Sequence, residues 1–319
     1  MKESIIEQIK NKQLRSCAIL THDNPDADAI GSAVALEQIL LQSGKNKVVI
    51  ITQNKISKTY SEILGKDRVD RINIPSIRYD IVFVLDCSYP ERVRFDYRFL
   101  GNNVVVIDHH AGYKPYGKVY WCKKVPSTTL MIYELAKELN IQITPLLATS
   151  IYLGIDGDTL NFRTSNVTAD THRIVADLIE CGADITLVHK IERIRKNVFD
   201  LLIKSWPSLM IDKQYKILWM TVTHQEIDDT KTDYSEVTSI IDILKTVQDM
   251  NVVLLFVVNG NKIYIQARSN TIDISKVLGE FNGGGHKYAA GGMCYSDSTY
   301  STINRVVKSI KEEIDSKKS

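Results

Sequence analysis

The chain has 319 residues, 44% of them hydrophobic and 24% charged, which suits a soluble globular protein with room for two domains of ordinary size. Its 40 Lys and Arg against 38 Asp and Glu leave a formal net charge of +2, which argues against a broad basic face gripping long nucleic acid and leaves small anionic substrates open. Five scattered cysteines with no CxxC pair argue against a disulfide framework or a zinc cluster and fit reduced thiols. No apolar run approaches the roughly 20 residues of a membrane span, and the N-terminal stretch lacks a signal-peptide core, so no membrane contact and a cytoplasmic location are expected.

In chain order, the apolar run 17–20 leads directly into His22, Asp23, Asp26 and Asp28, and these into the small and apolar segment 29–41. A strand, loop and helix of this kind delivers carboxylates and an imidazole to one point at a sheet's edge. Runs of Val and Ile at 47–51, 81–85 and 104–107 read as buried strands. Segments 29–41, 128–139 and 168–179 read as amphipathic helices, with Gly44 and Gly182 in stop positions. Strand and helix in alternation predict an α/β domain built on a mostly parallel sheet.

From about Asp184 the texture changes to a charged helical segment ending near Pro207, read as an inter-domain helix. Beyond it follow a strand over 215–222, a helix over 234–247 and a hairpin of strands 252–258 and 262–267 around Asn259-Gly260-Asn261. A helix over 274–281, the glycine run 283–285 and a last charged helix complete a smaller α/β domain. The expected boundaries are 1–188, a helical linker 189–207, and 208–319.

Acidic and histidine positions recur after the apolar runs. Asp86 follows 81–85, Asp108-His109-His110 follows 104–107, and Asp158 follows a further apolar segment, so that five such groups are expected at strand ends. Taken alone, Asp26 or Asp28 is as readily a helix N-cap. Together His22, Asp26, Asp28, Asp86, His109 and Asp158 offer four carboxylates and two imidazoles, more charge than one divalent ion uses and suited to two ions sharing a carboxylate. The oxygen-rich set with some imidazole suits Mn²⁺ best and Mg²⁺ next. His172, His189 and His224 each stand alone and earn no functional reading.

The second chemical signal is Gly283-Gly284-Gly285-His286-Lys287. Consecutive glycines leave backbone N–H groups open to an anion, and His286 with the upstream Arg268 adds charged donors, so an anion pocket is expected.

The segments HDNPDADAIGS, VLDCS, DHH, GDT and GGGHKYAAG, in this order over about 17–295, resemble the DHH phosphoesterase family in the branch with a DHH-associated C-terminal domain. Within it, length most resembles the stand-alone nanoRNase and 3′-phosphoadenosine-5′-phosphate (pAp) phosphatase group. The resemblance implies that the first domain is catalytic, the second binds substrate, and the site lies in the cleft between them. It implies that His22 and Asp26 hold one metal ion, that Asp28, His109 and Asp158 hold the other, and that Asp86 bridges them. His110 would face the scissile phosphate, and Arg268 with Gly283, Gly284, Gly285 and His286 would hold another phosphate or the terminal nucleotide. A homodimer is implied as well.

One departure is that the fourth motif, usually TDTG, here reads Gly157-Asp158-Thr159-Leu160, with Asp156 close enough to exchange roles with Asp158. The serine-arginine-lysine-lysine signature of type II inorganic pyrophosphatases is missing. The expected activity is Mn²⁺-dependent hydrolysis of very short RNA and of pAp. A phosphodiesterase of linear or cyclic dinucleotides (pApA, cyclic di-AMP) stands close behind, and a RecJ-like DNA exonuclease fits less well. A catalytically silent nucleotide sensor is the reading from another class, and six chemically competent metal positions speak against it.

Overall fold

The computed structural model describes residues 1–23, 25–52, 60, 69–71, 77–87, 89–93, 96–110, 115–191 and 193–317. They form two compact units, Met1–Arg193 and Ile194–Ser319. Among the described residues no helix is long and apolar enough to cross a membrane.

In the first unit the strands β1 (Ser16–Leu20), β2 (Lys47–Thr52), β3 (Val69–Arg71), β4 (Ile81–Leu85), β5 (Val104–Asp108) and β6 (Val119–Cys122) make a six-stranded sheet of order β3-β2-β1-β4-β5-β6. Every pairing is parallel. β4 and β5 are buried along their whole length, as continuous Val and Ile runs should be when both sheet faces are covered. One face carries Ile19, Phe83, Val105 and Ile107 into the main core with the helices; the other packs Leu20, Val84 and Val106 against Val93 and Leu100. From β1 the chain builds toward β2 and β3, then returns to add β4, β5 and β6 on the opposite side. The order therefore reverses between β1 and β4, and the carboxyl ends of those strands flank a crevice.

Among the described residues, the helices of this unit include α1 (Lys2–Lys10), α2 (Ala27–Gln42), α3 (Thr128–Glu138), α4 (Pro145–Asp158), α5 (Ala169–Glu180) and α6 (Ile185–Ile191). α2 and α4 approach closely enough that a Cβ on Gly31 would stand 2.4 Å from the Ser150 carbonyl oxygen. α4 corrects one expectation. Asp158 does not follow a strand; it is the last residue of a helix that Thr144 caps and Pro145 opens. A buried helix reads as an uninterrupted apolar run, and Thr-Pro at its start is the signal that separates it from a strand.

The second unit is built on β7 (Met210–Asp212), β8 (Ile217–Thr223), β9 (Val252–Asn259), β10 (Lys262–Ser269), β11 (Gly284–His286) and β12 (Ala289–Tyr295), in the order β11-β12-β10-β9-β8-β7. Only β8 and β9 pair in parallel. α11 (Ile274–Gly279) and α12 (Thr299–Ser316) cover one face. α7 (Lys196–Ser205), α8 (His224–Asp229), α9 (Tyr234–Val237) and α10 (Ser239–Leu244) pack on the other face over β8 and β9. The stretch read as one linking helix is thus two: α6 ends at Ile191, and α7 buries Val198, Leu201 and Leu202 in the second unit's core. Likewise, 234–247 is two short helices instead of one.

Candidate active site

Strand ends and two helix ends bring six of the expected residues into one cluster. His22 lies just past β1, Asp86 just past β4 and His109 just past β5, while Asp26 and Asp28 sit at the start of α2 and Asp158 at the end of α4. Three groups have ligand atoms close enough for a shared ion: His22, Asp26 and Asp86; Asp28, His109 and Asp158; and Asp86, His109 and His110.

Asp86 stands between the first two groups. Its Oδ2 is 3.9 Å from His22 Nε2, and its Oδ1 is 3.5 Å from His109 Nε2. The Thr128 hydroxyl donates to the same Oδ1 at 3.1 Å. Asp86 has a left-handed backbone, φ 52°, which Asp tolerates better than most residues, while its N–H still bonds the Ile107 carbonyl at 3.0 Å.

Asp26 caps its helix and also stands in one of the candidate ligand groups. Its Oδ1 caps α2 by accepting from the Ala29 N–H at 3.0 Å, and its Oδ2 lies 3.7 Å from His22 Nε2. Asp28 is wholly buried and is held from the far side: the Thr128 and Thr129 N–H groups, at the start of α3, donate to its two oxygens at 2.6 and 2.9 Å. A helix N-terminus is a natural seat for a carboxylate. Gly154 makes room for it, since a Cβ there would be 2.5 Å from Asp28 Oδ1.

His109 Nδ1 is 3.0 Å from the Val125 carbonyl, so that nitrogen donates and Nε2 is the one turned toward the cluster. Nε2 is buried with no well-formed hydrogen bond, 3.0 Å from Asp158 Oδ2 and 4.0 Å from Asp28 Oδ2. The electrostatics are those of a site made for cations. Burial, then the Asp158 charge, push Asp28 up to about 8. Burial and the charges of Asp28, Asp26 and Asp158 likewise raise Asp86. Burial opposes a charged His109, yet the Asp158, Asp28 and Asp86 carboxylates outweigh it and raise the ring to about 10. In metal-free protein, protons stand in for the missing positive charge. Once its Nε2 proton is given up, His109 together with the oxygen-rich donors fits divalent ions of the Mn²⁺ and Mg²⁺ kind.

In the second unit the register puts Arg268 opposite Ala289, and Ala289 opposite His286, so the three positions form one row across β10, β12 and β11 and share a sheet face. Arg268 donates through Nε to Asp242 at 3.3 Å; the side chain of His286 lies outside the described residues. The glycine run differs from the open loop expected. Gly284 and Gly285 are in the edge strand β11, and the Gly283 N–H is used by the Leu278 carbonyl at 3.0 Å. Gly283 and Gly285 are required where they are: a Cβ would come within 2.2 Å of the Gly291 carbonyl and 2.7 Å of the Ala289 carbonyl, respectively.

The model of the DHH family, N-terminal domain, matches residues 16–155, and that of the DHHA1 domain matches residues 214–316. The chain belongs to the DHH family. It is similar to the bifunctional oligoribonuclease and PAP phosphatase NrnA of Bacillus subtilis, 27% identical over 300 residues that cover 91% of this chain and 93% of that one. The protein of the same name from Mycoplasma genitalium is 25% identical over 310 residues, 95% and 96% of the two chains. An exopolyphosphatase-related protein from Bacteroides fragilis shares the fold, with a TM-score of 0.85 over 99% of this chain and 95% of that one at 19% identity. As a DHH-family protein the chain is a phosphoesterase hydrolase, and its cluster can hold divalent metal ions.

Two contributors to this DHH site escaped the sequence reading. Asp108 is fully buried, and its Oδ1 accepts from both the His110 N–H at 3.1 Å and His110 Nδ1 at 2.8 Å, which fixes that ring. The Asp-x-His spacing was visible, though not the bond. Arg92, whose Nη2 is 3.0 Å from His22 Nδ1, gave no sequence signal.

Proposed function

We propose that the protein is a Mn²⁺-dependent phosphoesterase that hydrolyses very short oligoribonucleotides to mononucleotides and pAp to AMP. The observation that carries this reading is the position of Asp86, with one oxygen toward the His22 and Asp26 group and the other toward the His109 group. His22 and Asp26 would hold one ion, Asp28, His109 and Asp158 the other, and Asp86 both. Bound there, a pair of divalent ions supplies a water acidic enough to be hydroxide at neutral pH and offsets charge on the phosphoryl oxygens.

The chain's own groups do the rest. Asp28, pinned by two α3 amides, keeps the deep end of the site in register without moving when charge changes. Asp108 holds the Nδ1 side of His110, so the ring meets the scissile phosphate through Nε2, as a charge stabiliser or proton donor to the leaving oxygen. Asp156 is buried with no hydrogen-bond partner for either oxygen. It belongs to none of the three ligand groups, which favours Asp158 for the metal. Arg268 with Gly283, Gly284, Gly285 and His286 would bind the substrate's other phosphate or terminal nucleotide. The relatives' names supply the substrate class: both are called oligoribonuclease and PAP phosphatase.

The test is a side-by-side assay of purified protein with Mn²⁺ on pAp, a 5′-phosphorylated dinucleotide, a cyclic dinucleotide, a long single-stranded RNA and pyrophosphate. Hydrolysis of pAp and the dinucleotide well ahead of the others is expected. Equal rates per end on the long strand and the dinucleotide, or fastest release from pyrophosphate, would count against the reading; fastest cleavage of the cyclic compound would replace it.

A further inference from the structure

Arg92 lies in the 3₁₀ turn Pro90–Val93, a few residues beyond Asp86. Its Nη2 is 3.0 Å from His22 Nδ1, its Nε is 3.7 Å from Asp23 Oδ1, and its carbonyl accepts from the Asp23 N–H at 2.8 Å. A third of the side chain is exposed.

A guanidinium has donors only and keeps its charge at any pH a protein survives. His22 Nδ1 therefore accepts, which leaves Nε2 as the ring position for a proton, facing Asp26 at 3.7 Å and Asp86 at 3.9 Å. A ring nitrogen that bears a proton has no lone pair for a metal. Ligation through Nε2 needs the proton on Nδ1, where it would point at a group that cannot accept it. His109 is braced the other way round, with Nδ1 donating to the Val125 carbonyl and Nε2 turned toward the cluster. The contact of Arg92 with His22 and a metal on His22 are thus mutually exclusive.

Charge says where the guanidinium is useful once displaced. Two divalent ions only cancel the four carboxylates of Asp26, Asp28, Asp86 and Asp158, so attraction for a phosphate must come from further cations. The Asp23 N–H holds the main chain of Arg92 through its carbonyl, so the guanidinium, on a side chain a third exposed, can turn as one planar unit while its backbone stays beside His22. A bidentate fork suits phosphate oxygens better than an ammonium does.

We propose that Arg92 is a substrate-phosphate ligand parked on His22, and that metal binding at His22 releases it to a nonbridging oxygen of the phosphoryl group. This rests on the reading of His22 as a metal ligand. Three measurements on the full chain, none of which needs turnover, compare wild type with Arg92→Met and Arg92→Lys. Long-range ¹⁵N spectra of metal-free wild type should show the His22 ring proton on Nε2, moving to Nδ1 on addition of Mg²⁺. Mn²⁺ binding, followed by the loss of its aqueous paramagnetic signal, should be unchanged or tighter in Arg92→Met, which no longer competes for His22. Affinity of the Mg²⁺-loaded protein for a non-hydrolysable phosphorothioate dinucleotide should fall roughly ten- to hundredfold in Arg92→Met, the size of one charge-assisted hydrogen bond, and be partly regained in Arg92→Lys. Weaker Mn²⁺ binding with unchanged dinucleotide affinity would make Arg92 a prop for the His22 ring and overturn the proposal. A His22 proton already on Nδ1 without metal would do the same. Should wild type instead bind the dinucleotide as expected and hydrolyse nothing, the activity assigned above fails while this inference stands.

Discussion

The two halves of the cluster are built differently. Asp28 is sealed, its oxygens held by backbone amides of α3, and His109 is braced by a backbone carbonyl. On the other side, the Asp26 side chain is 56% exposed, and His22 leans on the side chain of Arg92. Backbone donors cannot rotate away, whereas a guanidinium can. As a proposed metal site, the half around Asp28 and His109 is therefore the more preorganised, and in the other half it is His22, leaning on Arg92, that has to rearrange to accept an ion. With these residues as the ligands proposed above, the expected order of binding has the ion of Asp28, His109 and Asp158 held more tightly than the ion of His22 and Asp26.

The largest expected effect falls where the halves meet. Asp86→Asn removes the shared charge while keeping the Thr128 hydroxyl contact feasible, so the fold should survive and both ions weaken together. Turnover of a dinucleotide should drop by about a thousandfold or more, as when the charge that positions a two-metal site is lost. Near-normal Mn²⁺-dependent hydrolysis by this variant would refute the bridging role of Asp86.

Gly154→Ala separates the halves. The added methyl would meet Asp28 Oδ1 at 2.5 Å and the Thr129 side chain at 2.4 Å, so either the carboxylate or the helix start must shift. Alanine is the better helix former by about 1 kcal/mol, so gross unfolding is not the expected outcome. We expect the tight Mn²⁺ equivalent to disappear from a binding isotherm while the site of His22 and Asp26 is retained, with turnover down by roughly a hundredfold. Loss of the weak equivalent with the tight one intact would reverse the ranking of the two halves.

What could be read from the sequence follows the same division between local and assembled features. β4 and β5 were legible because strands buried on both faces must be runs of Val and Ile, and α2 because its cap and its small residues are local. That His22, Asp26, Asp28, Asp86 and His109 would come together was legible because each follows such a run directly or across one short loop. Asp158 was placed in the cluster for a wrong structural reason. α4 is nearly all buried, so its apolar run carries no helical stripe, and only Thr144-Pro145 distinguishes it. Arg92 against His22, 70 residues apart, and the α3 amides against Asp28, 100 residues away, exist only once the sheet has assembled. The conformation of the glycine run was not legible, since an edge strand and an open loop place the same demand on glycine.

The smallest effect concerns stability without metal. Asp28, raised to about 8, keeps its proton in the folded state over a range where the unfolded chain, near the ordinary 3.8, has lost it. His109, raised to about 10 from 6.5, likewise holds more proton folded than unfolded. Where the native state binds more protons, stability falls as pH rises. For metal-free protein the window runs from just above 4 up to about 8 for Asp28, and from above 6.5 up to about 10 for His109. The slope is on the order of 1 kcal/mol per pH unit for each such proton, or a few degrees of melting temperature for domains of this size. Saturating Mn²⁺ should reverse that trend, because ligands must shed protons to bind it and affinity rises with pH. Melting curves at pH 6 and pH 8, with chelator and with Mn²⁺, read both signs at once. A metal-free melting temperature that does not fall between those two values would mean that the half around Asp28 and His109 is not proton-loaded, and the contrast with the other half would then rest on geometry alone.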